Sequence, residues 1–303
     1  MPTLALALRE GAGQNRGMAI IRCAVARVFT NAGKNGNLLG VVTETARLTA
    51  AQMQAIAHTL GYSETSFIFF DTKKGDYRVR FFTPEKEIPF AGHPTLGTLF
   101  VLRSLRLAPE KKTYVQIIGK RKVPLEIFPD GLVRMDQGKP SFKPGTTRAL
   151  AAAMLGVKEG DVTGEPLVAS TGLPQLIVPL KNAKLLRGAR ILNSVYQRVV
   201  KTTGASCIMP FAIGNGKIFC RMFAPALGVA EDPATGSGCG PLAAYIVREK
   251  LVPASKETVI LEILQGGAKK SLLVASVRQT REGIASVAVA GFCTMGKPRT
   301  VEL

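Results

Sequence analysis

The 303-residue chain has no tryptophan, two histidines (His58 and His93) and 6% aromatic residues. So few histidines exclude a His-rich metal centre. The five cysteines, Cys23, Cys207, Cys220, Cys239 and Cys293, form no CxxC pair and have no His partner at metal-ligand spacing. An odd, scattered set excludes a disulfide framework and suits buried thiols in a reducing compartment, so a cytoplasmic location is expected. No stretch approaches the ~18 apolar residues that a spanning helix needs, so no membrane role is expected. The first 17 residues lack a basic leader before the short apolar stretch Leu4–Leu8, which argues against a secretory signal. They read as a loose N-terminal extension. No GxSxG, Walker A or HExxH motif occurs, and no GxGxxG follows a strand. Nicotinamide and nucleoside-triphosphate chemistry are therefore disfavoured.

Acidic residues are also scarce. There are 21 against 40 basic ones, a net charge of +19. The basic residues are dispersed, with 22 up to Arg148 and 18 beyond it, and the longest unbroken run is Lys120-Arg121-Lys122. Dispersion of this kind marks a solvated surface rather than a nucleic-acid stripe, and no nucleic-acid-binding motif accompanies it.

What is present is ordinary globular material, 46% hydrophobic and 20% charged. The length suggests two domains of ~150 residues. Strand patterns dominate, at Ile20–Phe29, Ser66–Phe70, Tyr77–Thr83, Tyr114–Ile118, Val123–Phe128, Leu132–Met135, Cys207–Ile213, Lys217–Phe223, Thr258–Leu264, Leu272–Val277 and Ile284–Ala290. Asp130-Gly131 and Gly214-Asn215-Gly216 mark hairpins. The clearest helix is Ala50–Leu60, with a Thr49/Gln52 capping box and Gly61 as its stop. Further helices are expected at Thr95–Leu105, Thr147–Leu155, Ala189–Lys201 and Pro241–Lys250. The first and last of these four are apolar around their first turns, so each must be buried on all sides. Antiparallel strands would then wrap each one.

An internal repeat supports this arrangement. Arg80-Phe81-Phe82-Thr83-Pro84 resembles Arg221-Met222-Phe223-Ala224-Pro225 at an offset of 141 residues. Each block leads to a small-residue segment that opens a buried helix: Phe90–Gly97 in the first half, Asp232–Gly240 in the second. Small residues let a ligand approach the backbone, and the free N–H groups of a helix start favour an anion. Two such segments suggest a carboxylate site. Three ionisable residues stand near them. Glu64, beside Phe67, Ile68, Phe69 and Phe70, is placed to be desolvated and to move a proton. His93 opens the first buried helix and can shuttle a proton or orient a substrate. Asp232 precedes the second. Each also suits a plain structural role: a solvated turn glutamate, a packed histidine, a helix-capping aspartate.

The run Arg80–Gly97, containing Pro89-Phe90-Ala91-Gly92-His93-Pro94-Thr95, resembles the first signature of the PhzF family of phenazine-biosynthesis isomerase-like proteins. Glu231-Asp232-Pro233-Ala234-Thr235-Gly236-Ser237-Gly238 resembles the second. Ser63-Glu64-Thr65, Gly36-Asn37, Thr171-Gly172 and Gln265-Gly266 match shorter family segments, in order, from about Ile20 to the C-terminus. The resemblance implies an α+β, diaminopimelate epimerase-like fold. That is two similar domains, each a largely antiparallel curved sheet around a central helix, with the site in the cleft between them. The expected boundaries are 18–135 and 136–291, with the tail 292–303 packing on the first domain. It also implies a homodimer that uses no cofactor and no metal. The activity implied is a proton shift on a small carboxylate, trans-2,3-dihydro-3-hydroxyanthranilate in the characterised case. By resemblance Glu64 is the acid/base, with His93 and Asp232 assisting. Gly92, Gly236, Ser237, Gly238, Thr171 and Gly172 would bind substrate.

Related epimerases use two facing thiols, but Ala91-Gly92-His93 and Thr235-Gly236-Ser237 stand at the two entrances here. A proton shift by one carboxylate therefore fits better than two-thiol racemisation. The chain departs from the family at Leu60-Gly61-Tyr62, at Leu38 after Gly36-Asn37, and at Ala268-Lys269-Lys270-Ser271, which puts substrate identity in doubt more than fold. A racemase, epimerase or lyase acting on a small amino or hydroxy acid is one alternative. A non-catalytic binding protein is another.

Overall fold

The computed structural model describes residues 19–71, 76–253 and 256–303. The reading of residues 1–17 as a loose extension lies outside them. The chain forms two compact units, one running through Met135 and closed by Gly291–Leu303, the other comprising Asp136–Ala290. Each is α+β.

In the first unit, β1 (Ile20–Val28) pairs antiparallel with β2 (Asn37–Val42) and, along its N-terminal half, with the C-terminal strand Arg299–Glu302. The chain then crosses through α1 (Ala50–Leu60) to β3 (Glu64–Asp71), which lies parallel to β2. A parallel neighbour requires such a crossover, because a tight turn can only reverse the chain. β3 pairs antiparallel with β4 (Asp76–Phe82), which pairs with the two-residue β5 (Glu87–Ile88). A second crossover, through α2 (Gly92–Ser104), places β6 (Thr113–Ile118) parallel to β4. β7 (Arg121–Ile127) and β8 (Val133–Gly138) follow as antiparallel hairpins. The Asp130-Gly131 turn joins the last two, with Gly131 at φ 86°.

The two helices occupy opposite faces of this sheet. α1 is amphipathic and has the expected capping box and left-handed Gly61 cap. It packs Met53, Ile56 and Ala57 against Val42, Phe67, Phe82 and Val301. α2 is buried nearly throughout. Its approach to the sheet depends on Gly97, where a Cβ would lie 2.5 Å from Leu39 Cδ2 and 2.6 Å from Val28 Cγ2.

The second unit opens with β9 (Ser141–Pro144) and α3 (Arg148–Leu155), capped by Thr147. β10 (Leu167–Ser170) pairs antiparallel with β9 and with β11 (Gln175–Pro179). α4 (Ala183–Gly188) and α5 (Asn193–Thr203) form the crossover to β12 (Cys207–Gly214), parallel to β11. One helix is expected over Ala189–Lys201, but the chain breaks between α4 and α5. Arg190 and Leu192 give their N–H groups to the carbonyls of Leu155 and Met154 at the end of α3, so those residues cannot continue a helical ladder. β13 (Lys217–Cys220) returns antiparallel to β12. The buried α6 (Gly236–Arg248) leads to β14 (Thr258–Gln265), parallel to β13. β15 (Ser271–Thr280) and β16 (Gly283–Gly291) complete the unit as an antiparallel pair of hairpins.

The pairing succession from β10 to β16 therefore repeats that from β1 to β8. In both units it runs antiparallel, parallel, antiparallel, parallel and antiparallel twice. The five-residue sequence repeat is the trace of this full topological repeat.

Candidate active site

In the first unit the site residues gather where β3 begins and α2 begins. Gly61 ends α1 in the left-handed conformation, φ 64°, and turns the chain into β3 three residues later. This places Glu64 at the first strand position, on the face toward α2. The next residue on that face, Ser66, receives a hydrogen bond from Thr98 of α2 at 2.9 Å. Ser63 Oγ donates to Asn37 Oδ1 at 3.1 Å and ties this corner to the start of β2.

His93 is the second residue of α2. Its Nε2 lies 3.3 Å from the Leu38 carbonyl and its Nδ1 lies 3.4 Å from Glu64 Oε2. The histidine side chain is 5% exposed and that of Glu64 is 21% exposed. A carbonyl only accepts, so the contact to Leu38 assigns the hydrogen to Nε2. Burial pushes the His93 pKa down to about 3, against the opposing pull of the Leu38 carbonyl. The ring is therefore neutral at physiological pH, and Nδ1 presents a lone pair to Glu64. Gly92 is buried in the first turn of α2, whose N-cap residue Ala91 makes no side-chain cap.

In the second unit the loop before α6 is held by side chains. Thr235 Oγ1 donates to Asp232 Oδ2 at 2.6 Å. Gln265 Nε2 donates to the Asp232 carbonyl and to Thr235 Oγ1, each at 2.8 Å, and Gln265 Oε1 accepts from the Thr235 N–H at 3.0 Å. Asp232 is thus oriented by a buried glutamine from the end of β14. Gly236, Ser237 and Gly238 form the first turn of α6, again without a side-chain cap. Gln137 Nε2 donates to the Gly236 carbonyl at 2.9 Å and Gln137 Oε1 accepts from Thr171 Oγ1 at 3.3 Å. Thr171 thereby joins the α6 entrance. Gly172 has φ 148° and donates its N–H to Ser170 Oγ, so it shapes the turn between β10 and β11.

Glu64, His93 and Gly92 thus come together in one unit, and Asp232, Gly236, Ser237, Gly238 and Thr171 in the other. Reading the sequence singled out none of the supporting residues Gln137, Gln265, Arg80 or Arg221 as functional. For the two arginines the signal is in the repeat. Arg80 forms a two-pronged pair with Glu87 at 2.8 and 2.7 Å and lies 5.2 Å from the Phe82 ring centroid. Arg221 forms the same pair with Glu231 at the same distances and lies 4.6 Å from Phe223. The repeated Arg-x-Phe is a clamp on the loop that approaches each buried helix.

Two units of one topology, each with a buried helix whose uncapped first turn meets ionisable side chains, define the isomerase class built on the diaminopimelate epimerase-like fold. Within it, the phenazine biosynthesis-like protein family (PhzC-PhzF) matches residues 26–296, and the chain belongs to that family. The relative named uncharacterized isomerase YddE, from Escherichia coli O157:H7, is 35% identical over 249 residues, 79% of this chain and 84% of its own. The trans-2,3-dihydro-3-hydroxyanthranilate isomerase of Pseudomonas aeruginosa is 30% identical over 280 residues, 89% of this chain and 95% of its own. The crystal structure of a PhzF-family phenazine biosynthesis protein from Bacillus anthracis aligns with TM-score 0.84 at 28% identity, covering 93% of this chain and 99% of that one.

Proposed function

We propose that the chain is an isomerase that moves a proton on a small carboxylate substrate without a cofactor, with Glu64 as general acid/base. The contact between Glu64 Oε2 and His93 Nδ1 carries this reading. Two lone pairs at 3.4 Å repel unless one proton lies between them, so the pair holds a single transferable proton. Once substrate is bound, the carboxylate of Glu64 takes a proton from a carbon acid and returns it to another carbon of the same conjugated system. One base serves both steps, so no second thiol is needed. His93, neutral and fixed by the Leu38 carbonyl, orients the Glu64 carboxyl by accepting its hydrogen bond on Nδ1 whenever the carboxyl carries the proton. The first turns that contain Gly92 and Gly236-Ser237-Gly238 suit the substrate carboxylate, because neither N-cap residue, Ala91 or Thr235, caps its helix with a side chain and the helix dipole favours an anion. Asp232, together with Thr171 and Gly172 of the same unit, contributes on the α6 side.

The relative named trans-2,3-dihydro-3-hydroxyanthranilate isomerase supports a cyclic amino carboxylate as the first substrate to try. The test is NMR in D₂O with that compound and a panel of small carboxylates. Deuterium entry with a displaced double bond is expected for the native chain. Glu64→Gln should fold and lose turnover by about 10²–10⁴-fold, the usual weight of a general acid/base. Full activity in that variant would remove Glu64 from the role. Exchange at a stereocentre with no shift of a double bond would favour a racemase or epimerase instead.

A further inference from the structure

On the face of the first sheet that meets α2, buried polar side chains are paired at two points. Ser66 accepts from Thr98 at 2.9 Å. Tyr114 donates its hydroxyl to the Pro109 carbonyl at 2.8 Å and accepts the Lys111 N–H at 3.2 Å. Tyr77 of β4 and Gln116 of β6 share this face. Phe81 opposes Ser66, and Tyr77 lies two pleats before Phe81, so Tyr77 points toward α2 as well. Gln116 stands directly opposite Tyr77 in the parallel pairing, so the two side chains leave the sheet side by side. Gln116 is fully buried and Tyr77 is 2% exposed. Neither the Tyr77 hydroxyl nor either end of the Gln116 amide has a hydrogen-bond partner among the described residues, and the two groups do not bond to each other. Three buried polar atoms without partners are costly to leave so.

The second unit shows that the fold does not demand polarity at this place. The Arg80 and Arg221 repeat, offset by 141 residues, sets Tyr77 level with Ile218. Val79 opposes Ile118 in the first unit and Cys220 opposes Gln265 in the second, so Gln116 is level with Ile263. Ile218 and Ile263 are themselves register partners, and both are buried. One unit therefore fills the position with two isoleucines, and the other places a hydroxyl and an amide there.

We propose that the first unit encloses an ordered internal water held between the Tyr77 hydroxyl and the Gln116 amide, at a site the second unit fills with side chains. The chemistry suits water. Gln116 offers one donor and one acceptor, the phenol offers both, and water can meet all three. Burial pushes the Tyr77 pKa up, so the phenol keeps its proton. An ion is disfavoured, because neither side chain carries a charge to offset its own. The site is independent of the proton-transfer reading, since Glu64 and His93 take no part in it.

The test is a high-resolution crystal structure of the full chain, with magnetic relaxation dispersion to count long-lived waters in solution. A water bonded to both the Tyr77 hydroxyl and the Gln116 side chain is expected. The double variant Tyr77→Phe/Gln116→Leu should hold one long-lived water fewer than the native chain. Melting temperatures supply a second readout. A shared water couples the two residues, so Tyr77→Phe and Gln116→Leu should each lower Tm, and the double variant should fall by less than the sum. Groups with no water between them would instead make each single substitution raise Tm independently, because each removes a buried polar atom without a partner. A direct bond between Tyr77 and Gln116 would couple the pair but leave the water count unchanged in the double variant. Either of these last two results overturns the proposal. Should Gln116→Leu fail to fold, the native crystal structure and Tyr77→Phe still decide it.

Discussion

His93 illustrates how one residue links burial to pH. Its imidazole is sealed beneath α2, and its pKa falls from the ordinary 6.5 to about 3. The unfolded chain binds a proton at this position below about pH 6.5, whereas the folded chain does not until about pH 3. Stability is therefore fully present above pH 6.5 and declines as pH falls through that window, by at most about 1.4 kcal/mol per pH unit from this group. Urea denaturation between pH 7 and 4.5 should show the decline, and His93→Gln should flatten it. Parallel curves for the two chains would show that the ring ionises as easily folded as unfolded. At this scale the sequence identified His93 and Glu64 as neighbours of the helix entrance. It did not reveal that one ring nitrogen is committed to Leu38, because that carbonyl lies 55 residues away.

At the scale of elements, the best-read helix was α1, whose stop and start signals are local: a capping box, a 3.6-residue apolar period and a terminal glycine. α6 starts at Gly236, five residues before the expected Pro241, because tertiary burial outweighs the poor helix propensity of Gly-Ser-Gly-Cys-Gly. The strands β2 and β11 left no alternation to read, since nearly all their residues are buried. The two arginine clamps were visible only as a repeated motif. Arg221 also donates from Nη1 to the carbonyls of Leu186, Arg187 and Ala189, whereas Nη1 of Arg80 lies 3.8 Å from Met53 Sδ. Arg221→Lys loses the planar fork and should cost about 1–3 kcal/mol. Arg80→Lys should cost less, because its pair is more exposed and therefore better screened. Urea midpoints of the two variants check the order, and an equal or reversed order would contradict the argument.

For the whole molecule, the cysteines give a simple readout. Burial pushes the thiols of Cys23 and Cys293 up to about 12, and those of Cys220 and Cys239 rise for the same reason. Cys207 reaches about 12 through burial and the charge of Asp232. A disulfide reagent at pH 8 should react slowly with the native chain and should titrate all five thiols in denaturant. A fast native phase would reveal a thiol less protected than these contacts imply.

By itself the sequence determined the α+β class, the existence of a repeat, the family and the ionisable residues at each helix entrance. Those depend on local patterns: periodicity, caps, turn dipeptides and contiguous motifs. The tertiary structure alone decided the parallel crossovers, the tautomer of His93, and the glutamines that hold Asp232 and Gly236. Each of these joins residues far apart in the chain, where short-range spacing carries no information and only packing brings the groups together.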